Sequence, residues 1–169
     1  PIEAAVRVPS VIRSTGWGLA PKRTNPGDPL GAHHFDPVLN GPADLEKLRA
    51  PEVTLDREAT AREVAAVEEL LGGILPVEVV CGMGMGAAPL DHYSQLRGLD
   101  RICIDLVDEP ELVHEAIGRI IDGEIAVRKS LEAQGALTLN LRNHYAGSGG
   151  NCYTRELPSA GSRPSLASA

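Results

Sequence analysis

Two glycine-rich stretches hold the residues whose types and spacing best suit small-molecule chemistry. The first, Gly82-Met83-Gly84-Met85-Gly86, follows a short β-branched run, and the second, Ala146-Gly147-Ser148-Gly149-Gly150, follows Asn143-His144-Tyr145. Glycine lets a backbone approach a ligand closely and turn successive N–H groups onto an anion. Gly82, Gly84, Gly86, Gly147, Ser148 and Gly149 are therefore read as a substrate-binding set, with tight turns as the structural alternative. A neutral imidazole at His144 could move a proton near physiological pH; the rival reading packs it against a loop carbonyl. Asn143, Tyr145 and Tyr93 complete the catalytic candidates. Arg97 and Arg142 could each grip a substrate carboxylate through two parallel hydrogen bonds.

Metal chemistry has weaker signals. His33 and His34 are adjacent and point different ways, and no H-x-x-x-H or close Cys/His spacing accompanies them or His92. The expectation is that no metal site lies within this chain. Cys81, Cys103 and Cys152 form no CxxC pair and read as reduced thiols of a cytoplasmic protein. Cys152 has only Arg155 as a cationic neighbour and is not read as reactive.

The elements that must position these residues follow from periodicity. Residues 6–13 are β-branched and read as a strand, with Pro9 marking an edge or an interruption. Residues 14–44 hold so many Gly and Pro that a loop is expected there. A short helix follows around Asp44–Leu48, ending before Pro51. A longer one runs over 56–71, with Ala59, Val64, Val67, Leu70 and Leu71 on one face and Gly72-Gly73 supplying a left-handed end. Residues 76–81 read as a buried strand and Pro89–Leu99 as a helix with Pro in its first turn.

Residues 102–107 fit strand or helix equally well by periodicity. Asp108-Glu109-Pro110-Glu111 then opens the clearest helix, carried by Leu112/Val113, Ala116/Ile117 and Ile120/Ile121 to Leu131 and closed by Gly135. Residues 136–141 alternate as a strand, expected to pair in parallel with 76–81 through the intervening helices. Both glycine loops would then leave the carboxyl ends of parallel strands, where α/β proteins bind ligands. Residues 159–169 are small, polar and patternless, and read as a disordered tail.

Composition removes other functions. The chain has 169 residues, and 16 Lys and Arg against 23 Asp and Glu leave a net charge of −7. Phosphate-backbone binding needs clustered cations, so no nucleic-acid partner is expected. One Trp, three Tyr and one Phe cannot build a base-stacking platform. No apolar run approaches the roughly 18 residues of a bilayer span, and no signal peptide opens the chain, so no membrane partner is expected.

A rival fold comes from the first loop. Gly82-Met83-Gly84-Met85-Gly86-Ala87 satisfies G-x-G-x-x-A after a strand, and Asp105 follows at about the distance of a ribose-binding acid. That would make a Rossmann-type domain for a nucleotide or S-adenosylmethionine. Against it, Pro89 and Gly98 leave only a short crossover helix.

Several stretches together resemble the uroporphyrinogen decarboxylase superfamily. They are Asn40-Gly-Pro-Ala-Asp-Leu-Glu-Lys-Leu48, Val77–Cys81 with its Gly82 loop, Tyr93-Ser-Gln-Leu-Arg-Gly98, Asp105-Leu-Val-Asp-Glu-Pro-Glu-Leu-Val-His114, and Ala133-Gln-Gly-Ala136 with Asn143-His-Tyr-Ala-Gly147. The resemblance covers about residues 32–158 in order. It implies an α/β fold, a parallel sheet with flanking helices, as part of a (β/α)8 TIM barrel over residues 1–158. It also implies that 102–107 is helix.

Family members decarboxylate tetrapyrrole carboxylates or move methyl groups in corrinoid-linked metabolism. A small-molecule carboxylate or tetrapyrrole is therefore the implied substrate, and zinc and a corrinoid belong only to the full-length parent. Two departures bear on the choice. The decarboxylase Tyr falls at Gln95, two residues from Tyr93, and the acid of the second loop is Asn143. Both favour methyl transfer over decarboxylation. A complete barrel takes at least roughly 200 residues, so the chain is expected to be a fragment missing the C-terminal half, or to close its sheet as a homodimer. A non-catalytic remnant or assembly module is the alternative from a different class.

Overall fold

The computed structural model describes residues 5–25, 27, 34–83 and 88–139. The described elements are β1 (Val6–Pro9), β2 (Ile12–Ser14), β3 (Lys22–Thr24), β4 (His34–Asp36), α1 (Pro42–Leu45), β5 (Val53–Leu55), α2 (Arg57–Leu71), β6 (Val77–Val80), α3 (Pro89–Arg97), α4 (Leu99–Asp108) and α5 (Pro110–Ala133). This is a mixed α/β chain with a small parallel sheet. Strands pair as β1 with β6, β2 with β5 and β3 with β4. The chain divides into two compact units, residues 1–13, 54–84 and 131–169 in one and residues 14–53 and 85–130 in the other.

The first unit is built on β1 and β6, which run parallel with Val6 opposite Val77 and Pro9 opposite Val80. The Val6 and Ser10 N–H groups donate to Pro76 and Val80 carbonyls at 2.9 and 2.8 Å. Alternation along a strand then turns the Pro9 nitrogen, which has no hydrogen to donate, to the side away from β6. Pro9 thus sits on an open edge, and the chain leaves the strand after it. The expected strand over 6–13 is accordingly broken into β1 and β2.

A parallel pair needs a long crossover, and here α2 lies within it. Asp56 caps α2, accepting the Ala59 N–H at 2.8 Å. Yet none of the fifteen α2 residues is buried. The apolar face expected from Ala59, Val64, Val67, Leu70 and Leu71 stays at least partly open, with Leu70 76% exposed. Gly72 is right-handed, at φ −60°, so the expected left-handed end is absent there.

β6 has β1 as its parallel partner among the described strands. Residues 136–139 form no strand, and 140–141 lie outside the described residues. Next to β6, the Cys81 N–H donates to the Thr138 side-chain Oγ1 at 2.9 Å.

The second unit holds the apolar core: Leu39, Leu45, Leu48, Tyr93, Leu96, Ile102, Leu112, Val113, Ala116 and Ile120, with Trp17, Leu19, Val38 and Ile117 packed on it. α5 supplies Leu112, Val113, Ala116 and Ile120 at the three- and four-residue spacing of one helix face. Within the Gly/Pro-rich stretch, β3 and β4 form a short antiparallel pair with Arg23 opposite Phe35. Residues 102–107 are helix, as part of α4. Gly98 separates α3 from α4 at φ +81°, a conformation that favours glycine. Gly135, at φ +66°, follows α5 as expected. No described helix is long and apolar enough to cross a membrane.

Candidate functional site

The carboxyl ends of β1 and β6 meet at Ser10 and Gly82. Ser10 is buried, 7% exposed, and its Oγ accepts the Gly82 N–H at 3.0 Å. A Cβ at Gly82 would run into the Ser10 backbone carbonyl. The glycine is therefore required for close passage of two backbones, and its N–H is already committed to Ser10 rather than turned to an anion. Beside it, the Cys81–Thr138 bond ties a third chain segment to the same edge. Three segments of one unit thus gather at one end of a parallel pair, in the place where α/β folds hold ligands.

A cavity of about 520 Å³ lies in this unit. Its walls are Ser10, Val79, Ala136 and Thr138 on one side, and residues of α2 on the other. The lining is mainly apolar, with Arg57 and Glu68 as the charged members.

A polar cluster lies in the second unit. Arg97 donates from Nε to Asp105 Oδ2 at 2.6 Å and from Nη2 to Oδ1 at 2.8 Å. Its Nη1 donates to the Leu39 carbonyl at 3.1 Å. Both side chains are almost fully buried, 5% and 6% exposed. The guanidinium holds the Asp105 carboxyl below its usual range, chiefly through these hydrogen bonds and against the cost of burial. Tyr93 is wholly buried, and its hydroxyl has no hydrogen-bond partner among the described residues. Burial first, and the Asp105 carboxylate second, push its phenol upward. His92 stands edge-on to Trp17, ring centroids 4.6 Å apart at 73°. Burial lowers its pKa, with Glu124 opposing.

The chain matches no protein-family model, no curated protein and no solved structure.

Of the candidates read from sequence, Gly82, Tyr93 and Arg97 are described. Gly82 belongs to the strand-end edge; Tyr93 and Arg97 belong to the buried cluster of the other unit. The Arg97 donors go to Asp105 and to the Leu39 carbonyl. Tyr93 lies in the core of its unit, its side chain wholly buried. Gly84, Gly86, Arg142, Asn143, His144, Tyr145, Gly147, Ser148 and Gly149 lie outside the described residues, as does His33. Asp105, the acid of the Rossmann alternative, lies in α4, buried and paired with Arg97.

Among the described residues no three His, Cys, Asp or Glu side chains converge. Ser10 and Thr138, which build the strand-end edge, are residues the sequence reading passed over. Ser10 directly after a strand Pro was the available signal, whereas Thr138 looked like one polar position of an alternating strand.

Proposed function

We propose that this chain is part of a uroporphyrinogen-decarboxylase-like (β/α) barrel that binds a carboxylate-bearing small molecule at its strand carboxyl ends. The observation that carries the reading is the gathering of Ser10, Gly82 and Thr138 at one end of the parallel β1–β6 pair. The helix over 99–108 agrees with what the family resemblance implies for that segment. With Arg97 committed to Asp105, Arg142 becomes the arginine left to hold a substrate carboxylate, and His144 the group to move a proton. Methyl transfer in corrinoid-linked metabolism is preferred to tetrapyrrole decarboxylation, because Gln95 and Asn143 replace the Tyr and Asp expected of a decarboxylase. No step is assigned to zinc, for which the described residues offer no ligand set.

Thermal unfolding with added octacarboxyl porphyrin, hydroxocobalamin, NAD or S-adenosylmethionine tests this. A ligand at about 100 times its Kd adds about 2.7 kcal/mol to stability. The expected result is a raised Tm with the porphyrin or the cobalamin, diminished in Arg142→Ala. A shift with NAD or S-adenosylmethionine alone, or with none of the four, overturns the proposal.

A further inference from the structure

The side of α2 that faces its own unit meets a cavity instead of a packed core. Thr60 fixes that side: its Oγ1 accepts the Val11 N–H at 2.9 Å and donates to the Asp56 carbonyl at 2.7 Å. Arg57 is held on the same turn, where its Nη2 donates to the Gln134 carbonyl at 2.5 Å. Yet no α2 residue is buried, and a cavity of about 520 Å³ lies between this side and Ser10, Val79, Ala136 and Thr138. That volume falls within the roughly 300–1,000 Å³ of small-molecule pockets. The cavity is polarised along the helix. At the N-terminal end, Ser10 Oγ takes the Gly82 N–H and Thr138 Oγ1 takes the Cys81 N–H. A hydroxyl that accepts keeps its own hydrogen to give, and neither gives it to an acceptor among the described residues. Arg57 spends one donor on Gln134 and has no ion-pair partner among the described residues. Ala61, Val64, Ala65 and Val79 make the middle apolar. Glu68 stands at the far end, about 16 Å along the axis from Arg57 at roughly 1.5 Å per residue.

From this arrangement we infer that the cavity binds an aliphatic monocarboxylate. Its carboxylate lies at the Arg57, Ser10 and Thr138 end, and its hydrocarbon chain runs along Ala61, Val64, Ala65 and Val79. Donors gathered at one end call for an acceptor group, and the guanidinium charge selects an anionic one. The apolar middle selects a hydrocarbon body. Glu68 acts against a second carboxylate at the far end, because like charges set together reject the wrong ligand. The inference goes beyond the reading above, since it needs neither the barrel nor Arg142. A chain that binds a fatty carboxylate but neither porphyrin nor cobalamin would keep this site and lose that reading.

Isothermal titration calorimetry of the full chain with octanoate, decanoate and dodecanoate, kept below micelle formation, tests it. One site per chain is expected, with affinity rising about two- to fourfold for each added CH₂ that leaves water. Ala65 is exposed, so Ala65→Phe fills the cavity without disturbing a packed contact and should weaken dodecanoate by about tenfold or more. Arg57→Gln should weaken the carboxylates about fivefold, the size of an exposed ion pair, and leave octan-1-ol unaffected. Dodecanedioate should bind more weakly than dodecanoate, and Glu68→Gln should narrow that gap. Circular dichroism checks that each variant keeps its helix content. No binding of dodecanoate at about 1 mM, an affinity indifferent to chain length, or several equivalents per chain overturns the proposal. So does an Ala65→Phe or Arg57→Gln variant that binds as tightly as wild type, octan-1-ol as tight as octanoate, or dodecanedioate as tight as dodecanoate.

Discussion

Arg97 and Asp105 face each other across the Gly98 break between two helices, joined by hydrogen bonds of 2.6 and 2.8 Å with both side chains out of water. The third donor of the guanidinium goes to Leu39, so the pair also fixes the chain that leads into α1. Breaking a buried pair leaves an uncompensated charge and costs about 3–5 kcal/mol, whereas replacing both partners with apolar groups is often close to neutral. Asp105→Ala and Arg97→Ala should each lower unfolding stability by about that amount in urea titrations. Arg97→Met with Asp105→Leu should recover most of it. Single variants within about 0.5 kcal/mol of wild type, the ordinary range for surface changes, would refute the role.

The same pair sets an acid limb. The folded carboxyl of Asp105 titrates below its ordinary value of 3.8, chiefly because of the Arg97 hydrogen bonds. A group depressed on folding binds fewer protons in the native state than in the unfolded one. Its contribution is therefore complete above about pH 4 and disappears as pH falls from there through the folded value. Asp36, Asp44 and Asp56 are also depressed by hydrogen bonds and cations, but they are only partly buried and their exposed cationic partners are more open to screening by salt. Stability measured from pH 7 to pH 2 in 0.5 M salt should fall less steeply for Asp105→Asn than for wild type. Parallel curves would show that the buried pair contributes nothing to acid unfolding.

Tyr93 offers a change in the opposite direction. Its hydroxyl is enclosed without a well-formed hydrogen bond among the described residues, and an unsatisfied buried polar group costs about 1–3 kcal/mol. Tyr93→Phe should therefore be neutral or stabilising by up to about 1 kcal/mol in the same urea titration. A destabilised Tyr93→Phe would mean that the phenol has a partner in solution, and would reopen a functional role for it.

Most helices and the broken first strand were legible from sequence because their signals are local. Pro89 and Pro110 fall at first helical positions, Asp56 caps α2, and Gly135 follows α5 in the left-handed region. Pro9 marked the edge of a strand for the reason the hydrogen bonds display. The strand pairing was not legible. Apolar alternation over 136–141 says that a segment can form a strand, but not which strand it meets, and nothing in β6 announced β1, with Val6 71 residues before Val77, as its partner. The exposure of α2 was not legible for a related reason: periodicity identifies an apolar face without saying that anything covers it. At the candidate site, glycine at 82 stood out in the sequence, but its close approach to Ser10 did not. Arg97 and Asp105 each looked like a ligand because nothing in spacing shows that two charged residues will satisfy one another.

Trp17 lies between two tests of the second unit's packing. A Cβ at Gly123 would come within 2.5 Å of its Cζ3 and 3.2 Å of the Ala50 Cα. Gly123→Ala should thus destabilise by about 1–3 kcal/mol through overpacking, although alanine favours helix, and should shift the fluorescence of the one tryptophan. On its other side, His92 is half-buried against the indole. Burial depresses its pKa from the ordinary 6.5 despite the attraction of Glu124. The imidazole is therefore neutral in the native state where it would already be charged in the unfolded chain. Its contribution is complete above about pH 6.5 and is lost progressively as pH falls toward the folded value. Nuclear magnetic resonance titration of the His92 ring protons should give a midpoint below 6.5, and stability between pH 7 and 5 should decline less in His92→Phe. A midpoint at or above 6.5 would show that the ring is solvated, and the packing of His92 on Trp17 would then have to be abandoned.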